Sequence, residues 1–266
     1  MLAALAVLGV GCQESGFDES KETVRPLKVQ HVLGETKVPG QAEQPLTLTL
    51  DTLDDTLALD VRPARAAVPE GRLPAYLRDR GRGVSVMRPV TAADLAAVEA
   101  VHADLILGSD SGQGRLYDDL SRIAPTVITE GGGGQWKLNV RLVGEALGRT
   151  NDAEQLLIDY DREAAAARGA IRGRPRVAVV RMTAEGLRYA KRDSFAGTIL
   201  ADAGVRQVTR GGSDASVDLM LASEAPGLKV HADGSLTRVD DALWWGSGGA
   251  LAARAALAEL QGALGG

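Results

Sequence analysis

The stretch from Asn151 to Ile171, NDAEQLLIDYDREAAAARGAI, constrains the fold more than any other part of this 266-residue chain. Ala153, Leu156, Leu157, Tyr160, Ala164, Ala167 and Ile171 recur at spacings of three and four, one apolar stripe on a helix of period 3.6. Asn151 followed by Glu154 predicts a capping-box-like start, in which side chains satisfy the first unpaired N–H groups. Gly173 and Pro175 predict its end, because proline cannot donate to the helix ladder and disfavours helix in the residue before it. At about 1.5 Å per residue the helix is roughly 30 Å long, about the diameter of a small domain. Strand and helix patterns flank it on both sides. It reads as a rigid spine between two lobes.

Before the spine, Leu46, Leu48 and Leu50 alternate with Thr47 and Thr49, a short strand. Leu53, Leu57 and Val61 predict a brief helix that Pro63 stops. A second strand is expected at Ala64 to Val68. The run Thr91 to Val101 reads as a helix capped by Thr91, with Asp94 at the third position. Asp104 to Gly108, DLILG, is a buried strand, and Arg115 to Ile123 another helix. After the spine, Arg176 to Arg181 is a strongly apolar strand, and Ser194 to Ala203 a helix ended by Gly204. Strands alternating with helices every ten to twenty residues imply parallel, doubly wound sheets.

Composition narrows the function. A net charge of −5 supplies no basic field, so nucleic acid is not an expected partner. With aromatics at 3% and 24 arginines against six lysines, a ligand site must rely on arginine and few rings. His31, His102 and His231 are scattered, without the local pairing of metal sites, and read as surface or turn residues. No Ser–His–Asp order and no paired carboxylates of a shared pocket are evident, so the chain does not read as an enzyme.

The single cysteine, Cys12, closes an uncharged apolar run, MLAALAVLGVG, and precedes a polar stretch, QESGFDESKE. This resembles the end of a bacterial lipoprotein signal, with Cys12 as the lipidated residue and Gln13 to Arg25 as a flexible tether. Eleven apolar residues are too few to span a bilayer. The competing reading is a buried cysteine in an ordinary first helix.

Six segments in order carry a more specific resemblance. HVLGETKVPGQAEQPLTLTLDTLDDTLALDVRPA, AADLAAVEAVHADLILG and RLYDDLSRIAPTVI are similar to the first lobe of iron–siderophore substrate-binding lipoproteins of ABC transporters, the ferric hydroxamate and vitamin B12 type. WKLNVRLVGEALGRTNDAEQLL resembles their hinge, RVAVVRMTAEGLRYAKRDSFAGTILADAGV the start of their second lobe, and VDDALWWGSGGALAARAALAEL their C-terminal helix. The resemblance implies an α/β fold of two doubly wound lobes joined by a single long helix, the helical-backbone form of the periplasmic-binding-protein-like architecture. Its expected parts are a signal and tether over 1–25, a first lobe over 26–134, a hinge with the spine over 135–174, and a second lobe over 175–266. Between Leu221 and Leu228 the chain offers only ASEAPG where the resemblance implies a further strand and helix. The second lobe is therefore expected to be shortened, its sheet one strand short.

The implied function is binding of an Fe(III)–siderophore in the inter-lobe cleft and delivery to an ABC importer, by a monomer lipid-anchored on the extracytoplasmic face of the cell membrane. No cofactor or protein-held metal is implied, since the siderophore already occupies the iron. Its exterior oxygens suit arginine, whose planar fork donates several hydrogen bonds, and aromatic faces suit its organic backbone. Arg115 and Tyr117 lie just beyond the DLILG strand, where ligands of doubly wound sheets sit, although Arg115 also reads as a solvated helix start. Trp136 either lines the cleft or staples the hinge helix. Arg181, Arg188 and Tyr189 are the second-lobe candidates; of Trp244 and Trp245 at least one is expected in core or lobe packing and the other at the cleft mouth, with Trp245 the ligand candidate. The tetraglycine Gly131 to Gly134 lacks the Lys-Ser/Thr of a phosphate loop and reads as hinge freedom. For the permease, the resemblance implies one acidic residue per lobe: Asp218, and Glu99 standing in for the position at Ala96. Haem or a corrinoid as ligand, or a sensor or accessory role with a degenerate cleft, are the alternatives; an α/β enzyme is the third.

Overall fold

The computed structural model describes residues 25–211, 217–224, 236–246 and 248–264; Cys12, most of the tether and His231 lie outside them. The described chain opens with an antiparallel hairpin, β1 (Leu27–His31) and β2 (Gly34–Val38). Val29 and Val38 of this hairpin sit in the main core. Sequence patterning did not flag it, because the pair buries only these alternate residues.

The first lobe follows as β3 (Pro45–Thr47), α1 (Leu50–Ala58), β4 (Arg65–Ala67), β5 (Val86–Met87), α2 (Leu95–Glu99), β6 (Leu105–Ser109), α3 (Asp110–Gln113), α4 (Tyr117–Ile123) and β7 (Thr126–Thr129). The strands are all parallel, in the order β5-β4-β3-β6-β7. Period-two alternation sends Leu105 and Leu107 to one apolar cluster and Ile106 to another, so helices cover both faces of the sheet. The predicted capping box is present: Thr91 accepts from the Ala93 N–H, and the Asp94 carboxylate accepts from the Thr91 N–H at 2.8 Å.

The hinge is α5 (Trp136–Ala146) followed by α6 (Thr150–Ala170). The predicted stripe faces inward, with Ala153, Leu157, Tyr160, Ala164 and Ala167 buried and Leu156 and Ile171 packed at its margin. The capping prediction needs correction. Arg149 is the N-cap and makes no side-chain cap bond, while Glu154 is drawn away to Arg141 at 2.7 Å. A lateral ion pair with α5 has taken the side chain the box requires.

The second lobe holds β8 (Arg176–Thr183), β9 (Gly186–Tyr189), α7 (Phe195–Asp202), β10 (Arg206–Gln207), β11 (Leu219–Glu224), β12 (Thr237–Arg238), α8 (Asp241–Trp244) and α9 (Ala250–Leu264). Its parallel strands run β10-β8-β11-β12, and β9 folds back antiparallel on the far half of β8. The strand expected to be missing is present: LMLASE, directly after Asp218, builds β11 beside the central β8, and the described sheet holds four parallel strands and the antiparallel β9, against five parallel strands in the first lobe. The shortening lies in the connection, since only residues 225–236 run from β11 to β12, near the minimum for a parallel crossover.

One apolar core runs through both lobes along α5, α6 and α9. Helix α9 is not confined to the second lobe. Arg254 pairs with Glu163 of α6, and the first N–H groups of α9 are capped by α1: Ala250 N–H donates to Asp55 at 2.9 Å, and Leu251 and Ala252 N–H donate to Asp54 at 2.6 and 2.9 Å. The covalent connection through the spine is thus accompanied by a returning helix that contacts both α1 and α6.

Candidate ligand cleft

Where the lobes meet, a cleft of about 750 Å³ opens over the carboxyl ends of the sheet strands. This is where doubly wound sheets place ligands, because the loops there carry side chains free of the ladder. The first-lobe wall uses Asp51 at the start of α1, Ser109 at the end of β6, Ser111, and Glu130 directly after β7. The second-lobe wall uses Arg188, Tyr189, Lys191, Phe195 and Trp245.

The glycine run 131–134 forms the floor between the walls. Gly132 and Gly133 have φ of +85° and +74°, a region that glycine enters without penalty. A Cβ at Gly134 would collide with the Asp193 carbonyl oxygen of the opposite lobe. Close approach of the lobes, beyond backbone freedom, is the physical reason for glycine here.

Arg188 and Tyr189 reach the cleft because β9 turns back along β8, which places Arg188 directly opposite Arg181. Trp245 lies beneath both, its ring centroid 5.9 Å from the Arg181 guanidinium carbon and 6.0 Å from that of Arg188. Trp244 borders the cleft from within the core: it is buried and donates its Nε1–H to Glu259 at 2.6 Å.

Four sequence candidates are placed elsewhere. Arg181 does not line the cleft: it shares a sheet face with Arg188, but Asp241 of α8 holds it in a two-pronged ion pair at 2.7 and 2.5 Å. Trp136 is 1% exposed and belongs to the hinge core, edge-on to Tyr160 at 4.7 Å and donating Nε1–H to Thr198 at 3.2 Å. Its stripe position on α5 faces the spine, so it staples the hinge. Tyr117 sits at a separate surface hollow, against His31 of the hairpin, with its hydroxyl 3.3 Å from the Thr36 hydroxyl. Arg115 is exposed and does not line the cleft. The docking candidates Glu99 and Asp218 are both exposed, and neither lines the cleft; Glu99 ends α2, and the Asp218 carboxylate accepts the Arg176 N–H at 2.7 Å.

Sequence reasoning missed the acidic half of the site. Glu130 is set by Asn139 of α5, only 4% exposed, whose side-chain amide accepts the Glu130 N–H at 3.2 Å and donates to its carbonyl at 2.8 Å. Asp51 accepts the Thr129 hydroxyl at 3.3 Å. The available signal was positional: each follows a strand's carboxyl end. Asp55, wholly buried under α9, has its carboxyl pushed well above the usual range by burial and then by Asp54, against the opposing pull of the Ala250 N–H. Among the described residues no group of His, Cys, Asp and Glu is arranged to hold a metal ion, and no helix is long and apolar enough to cross a membrane.

A family model described as periplasmic binding protein matches residues 50–226. Among curated proteins, the probable siderophore-binding lipoprotein YfiY of Bacillus subtilis is 26% identical over 212 residues, 78% of this chain. That match spans 65% of the length of YfiY. Among solved structures, Staphylococcus aureus SirA complexed with staphyloferrin B superposes with a TM-score of 0.76 at 22% identity, covering 90% of this chain and 98% of SirA. The petrobactin-binding protein YclQ of Bacillus subtilis gives 0.75 at 19%, covering 90% and 99%. These likenesses to solved structures establish the fold.

Proposed function

The chain belongs to the periplasmic binding protein family, and from that premise we propose that it binds a ferric siderophore in the inter-lobe cleft and delivers it to an ABC importer. The observation that carries the reading is the second-lobe wall, where Arg188 stands over Trp245 beside Lys191 and Tyr189. A cation resting on an aromatic face offers hydrogen bonds to chelate oxygens and apolar contact to the ligand's backbone at one place. YfiY, named as a probable siderophore-binding lipoprotein, supports the same ligand class.

In this reading the protein binds and releases, with no covalent chemistry. The iron arrives inside the chelate and is cargo, so the cleft needs no protein ligand to metal. Cys12 carries the lipid that holds the protein on the extracytoplasmic face. Glu99 and Asp218, one exposed carboxylate per lobe, are the candidate contacts for permease arginines. The test is tryptophan quenching with hydroxamate, catecholate and carboxylate ferric siderophores. Saturable quenching by at least one supports the reading; silence from all of them refutes it.

A further inference from the structure

The two walls of the cleft carry opposite charge. On the first lobe, Asp51 and Glu130 face the cavity, and among the described residues neither is ion-paired to a cation. On the second lobe, Arg188 and Lys191 face it, with Asp193 the one carboxylate among the described lining residues on that side. The backbone that carries the acidic wall is fixed in place. Asn139, buried in α5, clamps both backbone groups of Glu130, and the buried Thr129 hydroxyl donates to Asp51. A ligand that presented only anionic oxygen would meet two like-charged carboxylates across the cleft, an unfavourable juxtaposition.

We propose that the cleft selects ferric chelates bearing a free protonated amine, the amine seated against Asp51 and Glu130 and the oxygen-rich chelate face against Arg188 and Lys191. The inference rests on the reading that the ligand is a ferric siderophore, and it adds the charge pattern that such a ligand must carry. The amine replaces water at Glu130 with a charge-assisted hydrogen bond, while the arginine side keeps its contacts to oxygen. Chelates lacking the amine leave the two carboxylates facing the ligand uncompensated.

The experiment compares ferrioxamine B, a linear ferric trihydroxamate with a terminal ammonium, with its N-acetylated form, which differs by that one charge. Ferrichrome, ferric citrate and a ferric catecholate complete the panel, and tryptophan quenching reads the affinities. The wild type is expected to bind the ammonium form roughly ten- to a hundredfold tighter than the acetylated form, the range for one charge-assisted hydrogen bond. Glu130→Gln is expected to narrow that ratio, and Asp51→Asn/Glu130→Gln to abolish it, while circular dichroism confirms folding. Equal binding of the two forms by the wild type overturns the inference without any variant. So does a preference that survives in the folded double variant, or tighter binding of an amine-free chelate than of ferrioxamine B. These outcomes leave the proposed function standing, whereas silence of the whole panel removes both.

Discussion

Arg181 and Arg188 stand directly opposite each other across the β8–β9 pair, and each guanidinium lies about one ring-stacking distance from Trp245, at 5.9 and 6.0 Å. Two like charges directly opposite are unfavourable in a sheet. Asp241 resolves the conflict by neutralising Arg181 through two hydrogen bonds and is itself held by the Ser223 hydroxyl at 2.9 Å. One arginine is thereby tied to the sheet and α8, while the other lines the cleft.

The two arginines should therefore fail differently. Arg188→Ala is expected to weaken ferric-siderophore binding by about 1.5–3 kcal/mol, typical for a hydrogen bond to a charged group, with little change in melting temperature. Arg181→Ala strands the half-buried Asp241 and should cost about 2 kcal/mol of stability, less than the loss for a fully buried pair. Titration and thermal melts of both variants decide this. Equal affinity losses without destabilisation by Arg181→Ala would count against the division of roles.

Trp136 belongs to the joint, so its removal should act on folding. Trp136→Ala is expected to destabilise by about 3–5 kcal/mol, as for large core aromatics, through lost packing on Tyr160 and Phe195. Chemical denaturation measures the loss. A near-neutral effect on stability together with a large loss of affinity would return Trp136 to the cleft.

Asp55 gives the pH dependence a definite sign. Its carboxyl is raised in the folded protein by burial and by Asp54, above the ordinary value of 3.8. The folded state then holds a proton that the unfolded chain has already released, so this group's contribution is greatest below about pH 4 and declines as pH rises through the native value. Asp55→Asn keeps an oxygen to accept the Ala250 N–H and removes the ionisable group. Melts across pH should show a flatter profile for the variant and higher stability than wild type at neutral pH. Parallel profiles would show that Asp55 does not titrate this way.

What the sequence made legible followed from periodicity. The stripe on Asn151 to Ile171 is the buried face of α6, and the continuous apolar run in RVAVVR is β8, buried on both faces. The reading stumbled where side chains have a choice of partners. Glu154 pairs across to Arg141 instead of capping its own helix, and Arg181 pairs with Asp241, sixty residues away, instead of facing the cleft. It also stumbled on the fold-back at Gly186, where glycine adopts φ of +121° and turns one long segment into β8 and β9. No local pattern announces Asn139 holding Glu130, because that contact joins a helix face to a loop only once α5 is packed.

The most direct test of the central claim is equilibrium dialysis of the purified protein against radio-iron-labelled siderophores, with Arg188→Ala in parallel. The account predicts saturable binding of at least one ferric siderophore at one site per chain, with clearly weaker retention by the folded Arg188→Ala variant. Absence of retained iron with every hydroxamate, catecholate and carboxylate complex would contradict it.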